Sequence, residues 1–297
     1  LGVATLDEGR ELRNAAISAP ILILSPVLPE QMDEVLESGL AVTASSVEFA
    51  REASEAALGK GKTCTMHIEV DTGMGRTGLG LDEAVRSIVE IAGMKGLDIE
   101  GIFTHFPSSD GDFDYTREQI RLFNGLLGEL AGRGIRFRFV HSANSAAILN
   151  FPSSHFNLIR PGLLAYGHYP SIDLRDRIDL APVLQFKSRL ILVRKVGAGR
   201  SVSYGRTFIA PGDMTVGVIA AGYGHGMSHR LSNNGGVLFR GEKARIIGRV
   251  TMDMTMIDLS AFPDAAVGEE VTLIGRQGEN EISVDDIARW DGTLNYE

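Results

Sequence analysis

The sequence predicts an α/β chain joined to an all-β one: a (β/α)8 TIM-type barrel lacking its first strand, then a mainly β C-terminal domain. Three observations carry this expectation. Up to about residue 165, short apolar runs alternate with helical patterns, as in a parallel sheet wrapped in helices. After Pro182 the helical periodicity fades, and strand-like runs follow one another through Gly, Asp, Asn and Pro turns. The strand candidates of the first part number seven, one short of a closed barrel, and the first run opens the chain without a lead-in. An open doubly wound sheet is the structural alternative. The expected domains are residues 1–180 and 181–297.

Each element has its own signal. Leu1–Thr5 precedes a helical stretch from Asp7, and Pro20–Leu24 precedes a helix over Pro29–Glu37. A weak strand at Ala41–Thr43 leads into a helix with a capping box, Ser45 with Glu48, ended by Gly59. Cys64–Asp71 is a strong strand, and the helix after it carries Ala84, Val85, Ile88, Val89 and Ile91 on its apolar side. Ile99–His105, Arg136–His141 and Asn157–Arg160 complete the set, with a helix near Gln119–Leu130. Beyond Pro182, strands are expected at Val183–Val196, Met214–Ala221, Val237–Arg240, Arg245–Asp258 and Glu270–Gly275. Val216 and Val218 alternate along one of these, and Met252, Met254 and Met256 along another.

Composition narrows the function. The 297 residues are 44% apolar and 23% charged, an ordinary globular balance. A net charge of 29 − 38 = −9 argues against nucleic acid as the main partner. The longest apolar stretch, Ala19–Leu28, contains two prolines and is too short to span a bilayer, so no membrane role is expected. A single cysteine, Cys64, excludes an internal disulfide and fits a reducing compartment. The expectation is a cytoplasmic enzyme.

Chemistry-bearing residues gather at the strand ends, where parallel barrels keep their active sites. Along Thr65–Asp71, Met66, Ile68 and Val70 form one face and His67, Glu69 and Asp71 the other. The apolar face meets the helices, so the polar face points inward. Next comes Gly73-Met-Gly-Arg-Thr-Gly78, a dinucleotide fingerprint on paper with Asp98 twenty residues further on. Arg76 inside the loop, the mid-chain position and the lack of a helix opening at Gly78 speak against that use. Later strand ends bring Thr104-His105-Phe106, His141-Ser-Ala-Asn-Ser145 and Arg160-Pro-Gly162 to the same rim. His105 and His141 lack a third ligand, and His225 and His229 lie in a glycine-rich loop, so no metal is expected. Ser142 and Ser145 either cap the helix from Asn144 or, with the amides near Gly162, hold a phosphate.

Taken together, the motifs resemble the alanine racemase family across the whole chain. The resemblance rests on Val70-Asp-Thr-Gly-Met-Gly-Arg76, Thr104-His-Phe106, His141-Ser-Ala-Asn-Ser-Ala-Ala147 and Ile159-Arg-Pro-Gly162. It continues through Val202-Ser-Tyr-Gly205, Gly222-Tyr223, Arg230-Leu-Ser-Asn233, Gly248-Arg249, Met252-Asp253 and Gly292-Thr-Leu-Asn-Tyr-Glu297. It implies pyridoxal 5'-phosphate, a two-base interconversion of L- and D-alanine for peptidoglycan, and a homodimer with shared active sites. Tyr204 matches the family's catalytic tyrosine, which serves the partner's barrel. His105 would bond to that tyrosine, and Arg160 to the pyridine nitrogen with His141 steadying it. Asn144, Ser145, Gly162 and Leu163 would surround the cofactor, the last three at its phosphate. Arg76 and the Met252 backbone would hold the substrate carboxylate, Tyr223 would line the entrance, and Asp253 would support Met252.

Two departures accompany the resemblance. The family's Schiff-base lysine lies in a segment resembling Val-Lys-Ala-Asn-Ala-Tyr-Gly, and no such segment occurs here. The expectation is therefore a racemase chain shortened at both ends, with an inactive cofactor-binding form or a serine or broad-specificity racemase as alternatives. The second departure is Glu69, which replaces the carbamylated lysine of many members and is expected to pair with Arg76.

Overall fold

The computed structural model describes residues 1–297, in two compact units. The first holds Leu1–Leu164 with Tyr169–Asp179, and the second holds Ala165–His168 with Leu180–Glu297.

In the first unit, parallel strands follow in the order expected of a barrel. They are β1 (Gly2–Val3), β2 (Leu22–Ile23), β3 (Val42–Ala44), β4 (Cys64–Asp71), the short β5 (Leu79–Gly80), β6 (Leu97–Phe103) and β7 (Phe139–His141). β1 pairs with β2, a bridge from Leu22 to Ala41 continues to β3, and β3, β4, β6 and β7 are neighbours in that order. β5 pairs only with the last two residues of β4. The expected strand at Asn157–Arg160 shrinks to one bridge between His141 and Leu158. A side chain supplements the remaining backbone bonds: Asn157 Oδ1 accepts from Val140 N at 2.7 Å and its Nδ2 donates to Arg138 O at 2.8 Å.

Helices α1 (Leu6–Asn14), α2 (Met32–Ser38), α3 (Val47–Gly59), α4 (Leu81–Ala92) and α5 (Phe113–Gly132) lie between the strands in sequence. Their apolar stripes meet the outward face of β4: Met66, Ile68 and Val70 join Ala53, Ile88 and Phe123 in one buried core. The inward register read for β4 therefore holds. On α4, Ala84, Ile88 and Ile91 are buried, whereas Val89 is exposed, one step off the stripe. The cap of α3 differs from the expectation. Ser46, not Ser45, begins this helix and accepts from Phe49 N at 3.1 Å. Ser45 turns instead toward Glu69 Oε2, 3.3 Å away.

In the second unit β8 (Phe186–Val196) is a long strand, followed by a hairpin of β9 (Ser201–Val202) and β10 (Phe208–Ile209). After it come β11 (Met214–Ile219), β12 (Gly236–Phe239), β13 (Glu242–Arg245), β14 (Thr255–Asp258), β15 (Glu270–Gln277) and β16 (Asn280–Ile282). The main sheet runs β13-β12-β15-β8-β11-β14, with antiparallel neighbours and β16 beside β15. Of the strand expected at Arg245–Asp258 only the two ends are strand, Arg245 closing β13 and Thr255–Asp258 forming β14. Between them the chain leaves the sheet, and Thr251 closes a turn by donating to Met254 O at 2.8 Å. Met252 and Met254 consequently sit exposed in a loop, and only Met256 lies on a strand.

The start of α3 offers a direct test. Ser46→Ala should cost about 1 kcal/mol of stability by urea unfolding, because Phe49 N loses its acceptor. Ser45→Ala should not weaken the start of α3, and equal losses of capping in the two variants would contradict the assignment.

Candidate active site

At the end of β4 the chain must turn sharply, and Asp71 organises the turn. Its Oδ1 accepts from Gly73 N and Met74 N at 2.8 and 2.7 Å, and its Oδ2 accepts from Gly75 N at 2.9 Å. Gly73 has φ of +139°, and a Cβ there would lie 2.2 Å from Tyr115 Oη, so no larger residue fits. Tyr115 donates to Gly73 O at 2.9 Å. Beneath this turn Thr72 and Thr104 share a 2.7 Å hydroxyl bond, and Gln119 donates to Thr72 Oγ1 at 3.2 Å and to His105 O at 3.3 Å. Gln119 falls on the buried stripe of α5 with Phe123 and Leu126. A lone amide on an apolar stripe was the available signal for it, and sequence reading passed over it.

The ends of β6 and β7 and residue 160 converge on one guanidinium. Arg160 donates from Nη1 to His141 Nδ1 at 2.7 Å. From Nη2 it reaches Thr104 O at 2.9 Å, Ser142 O at 3.0 Å and His105 Nδ1 at 3.1 Å. Phe103 provides an aromatic face 5.3 Å from its carbon and stacks on His141 with centroids 4.7 Å apart. Arginine has only donors, so both imidazoles meet it as acceptors and are neutral. His141 Nε2 continues to His67 Nδ1 at 2.9 Å. Both nitrogens of His141 are thus engaged, and neither is left for a metal.

Glu69 is 3% exposed and Arg76 is exposed, and the pairing expected between them does not take the form of a direct ion pair. Glu69 stays within its strand and accepts from Ser45 at 3.3 Å, whereas Arg76 follows Gly75, the last amide that Asp71 holds, and its charge is felt by Arg160 and His105. The charge of Glu69 acts on Arg160 instead.

Burial dominates the electrostatics. It lowers Arg160 to about 10, with Glu69 opposing and Arg76 assisting the shift, so this group remains a cation at neutral pH. Burial, then the charge of Arg160, bring His105 down to about 4 and His141 to about 2.

The next helix, α6 (Ser145–Asn150), starts at the same rim. Asn144, rather than Ser142 or Ser145, caps it by accepting from Ala147 N at 3.0 Å. Ser142 is occupied with Ser154 O at 2.8 Å. Asn144 also accepts from Ser109 at 2.7 Å and donates to Phe106 O at 3.3 Å, tying two loops together. Ser145 Oγ accepts from Leu164 N at 3.4 Å and lies 3.7 Å from where a Gly162 side chain would begin. Ser145, Gly162 and Leu163 are therefore neighbours.

The remaining candidates lie in the second unit. Tyr204 is 72% exposed and follows Ser203, whose φ is +67° and whose Oγ donates to Arg249 O at 2.7 Å. With Ile191, Leu192, Thr251 and Met254 it lines an open groove of about 570 Å³. Tyr223 N donates to Thr251 O at 2.9 Å, and Gly224 N to Met252 O at 2.8 Å, which places Tyr223 and Met252 on adjoining loops. Asp253 is exposed next to Gly224.

Comparison with known proteins covers both units. The profile of the alanine racemase N-terminal domain matches residues 1–170, and that of the alanine racemase C-terminal domain matches 183–297. The chain is 39% identical over 300 residues to the alanine racemase of Desulforamulus reducens, covering 100% of this chain and 80% of that protein. It is 42% identical over 298 residues to that of Halothermothrix orenii, covering 100% and 79%. The solved alanine racemase of Clostridium difficile 630 superposes with a TM-score of 0.94 at 34% identity, covering 100% of this chain and 77% of that one. That of Bacillus anthracis, with bound L-Ala-P, gives 0.93 at 36% identity with the same coverage.

The lowered histidines make stability depend on pH in one direction. Unfolded histidine titrates near ~6.5, so below that value the unfolded chain takes up protons that folded His105 and His141 refuse. Stability should fall with acidification from about pH 6.5, by up to about 1.4 kcal/mol per pH unit for each histidine. The loss from His105 ends near its folded value of about 4, and that from His141 near about 2. His105→Asn keeps an acceptor for Arg160 and should flatten the urea-midpoint profile between pH 6.5 and 4. An unchanged slope in that variant would show that His105 is not the group responsible.

Proposed function

The chain belongs to the alanine racemase family, and on that premise we propose that its site binds pyridoxal 5'-phosphate and serves the interconversion of L- and D-alanine. The observation that carries this reading is the state of Arg160. Its guanidinium has five N–H groups. Those on Nη2 face three acceptors and one on Nη1 faces His141, while the other Nη1 proton and the Nε–H have no protein acceptor. A fixed cation with unused donors suits a pyridine nitrogen, to which it can donate without transferring a proton. When bound, the cofactor supplies a conjugated sink for the charge left as the α-proton departs.

The chain's own groups divide the remaining work. Ser145, Gly162 and Leu163 hold the phosphate, with Asn144 keeping α6 aimed at it. Arg76 and the Met252 backbone hold the substrate carboxylate, Tyr223 lines the approach, and Asp253 supports the Met252 loop. Tyr204 handles the α-proton on one face. A phenol ordinarily titrates near ~10, so it needs a polar partner. His105 suits that part, because its Nδ1 accepts from Arg160 and leaves an Nε2–H to donate to the tyrosine oxygen. Glu69 offsets the charge of Arg160. The exposure of Tyr204, Met252 and Tyr223 supports a head-to-tail homodimer in which each copy completes its partner's site. No helix is long and apolar enough to cross a membrane, and the single cysteine fits a cytoplasmic setting. D-alanine made there would serve peptidoglycan.

Of the six lysines, the three in the first unit, Lys60, Lys62 and Lys95, precede β4 and β6 and so lie at the strand ends opposite this rim. Lys60 pairs with Asp33 and Glu37, Lys62 reaches Leu36 O, Lys187 pairs with Glu270 and Lys195 donates to Thr215. Lys95 precedes β6, and Lys243 lies on β13.

We therefore expect reversible cofactor binding and no D-alanine from these residues alone. Pyridoxal phosphate titrated into the purified chain should change its absorbance. In Arg160→Met the affinity should fall by about tenfold or more, as expected for a lost charge-assisted bond. Borohydride followed by peptide mapping should find no stable lysine adduct. Absence of binding would remove the cofactor reading, and a lysine adduct accompanied by D-alanine would refute the expected inactivity.

A further inference from the structure

Behind His141 the hydrogen-bond chain does not stop. His67 Nε2 lies 3.6 Å from Glu100 Oε2, and Glu100 Oε1 is held by Arg138 Nη1 at 2.8 Å. We infer that Glu100 is a positioning residue for Arg160, acting through His67 and His141 by fixing the tautomer of both imidazoles.

The protons can be placed one after another from the arginine outward. Arg160 can only donate, so His141 Nδ1 is bare and its proton is on Nε2. That proton points at His67 Nδ1, 2.9 Å away, which must also be bare. A neutral His67 then carries its proton on Nε2, where the carboxylate waits. The 3.6 Å separation is an electrostatic contact and longer than a full hydrogen bond, yet a negative charge there favours the N–H on that side. Donor-only Arg160 and acceptor-only Glu100 thus require one and the same proton arrangement. Reversing either imidazole sets two N–H groups against each other in a buried place.

The surroundings are shaped for this row of rings. Gly101 faces His67 so closely that a Cβ would lie 2.3 Å from its Nδ1. Phe139 stacks on His67 with centroids 6.0 Å apart, and Arg138 lies over the same phenyl at 5.0 Å. Burial lowers the His67 pKa and Glu100 opposes that shift, which agrees with a neutral ring oriented by the carboxylate.

The catalytic meaning of this arrangement rests on the reading of Arg160 as the cofactor's partner. The proton arrangement does not, so the two fail separately. The test is nitrogen NMR of the chain labelled with ¹⁵N-histidine, without cofactor, near neutral pH. The expected result is His67 and His141 both neutral with the proton on Nε2. Glu100→Leu should split the His67 signal between Nδ1–H and Nε2–H forms, and Glu100→Gln, which keeps an acceptor oxygen, should restore the single form. An Nδ1–H on either ring of the unmodified chain overturns the inference, as does a Glu100→Leu spectrum identical to it. Should the leucine variant not fold, Glu100→Ala is read in the same way, and a His67 signal as single as that of the unmodified chain overturns the inference.

Discussion

A half-buried guanidinium is the constraint around which the first unit is arranged. An arginine withdrawn from water is costly unless its donors and its charge are both answered. For Arg160, two of whose N–H groups stay free of protein acceptors, most of this is done by two carbonyls, two neutral imidazoles and the nearby charge of Glu69. These come from the ends of β4, β6 and β7 and the segments that follow them. A single side chain therefore braces strand ends that are already paired through Glu69 with Phe103 and Phe103 with His141. Aromatic faces complete the enclosure, since Phe103 lies against both Arg160 and His141.

The polar interior is tolerated because the strands separate their two faces cleanly. On β4 the apolar residues join the helix-packed core, while His67 and Glu69, both nearly fully buried, face the other way. The buried polar groups of this strand and its turn have partners within reach: His67 has His141 and Glu100, Glu69 has Ser45, and Thr72 has Thr104. This is the condition under which a polar network stiffens a core instead of loosening it.

How much of this could be read in advance depended on whether a signal was periodic or relational. The register of β4 was legible because alternation is a property of consecutive residues, and so was the stripe on α4 apart from Val89. Motifs placed Arg160, His105 and His141 on one rim, because strand ends of a parallel sheet must share a side. Relations between distant side chains left no trace in either pattern. Nothing local distinguishes Ser46 from Ser45 as the cap of α3, and Glu69 found Ser45 because the neighbouring strand offered it a hydroxyl, not because of its charge. The Asn157 side chain supplements a shortened strand by mimicking backbone, and Glu100, sixty residues before Arg160, becomes visible only once the two imidazoles are seen in line.

The turn after β4 has a consequence for recognition. Asp71 holds three successive amides, and Tyr115 closes the turn from the other side. The backbone that presents Arg76 is therefore already ordered before any anion arrives. Ordering a free loop at the moment of binding would subtract from affinity, whereas here only the rotamers of one arginine remain to be frozen, at about 0.5–1.5 kcal/mol. In the proposed function, the pre-ordered turn spares the substrate carboxylate the cost of arranging its own binding loop.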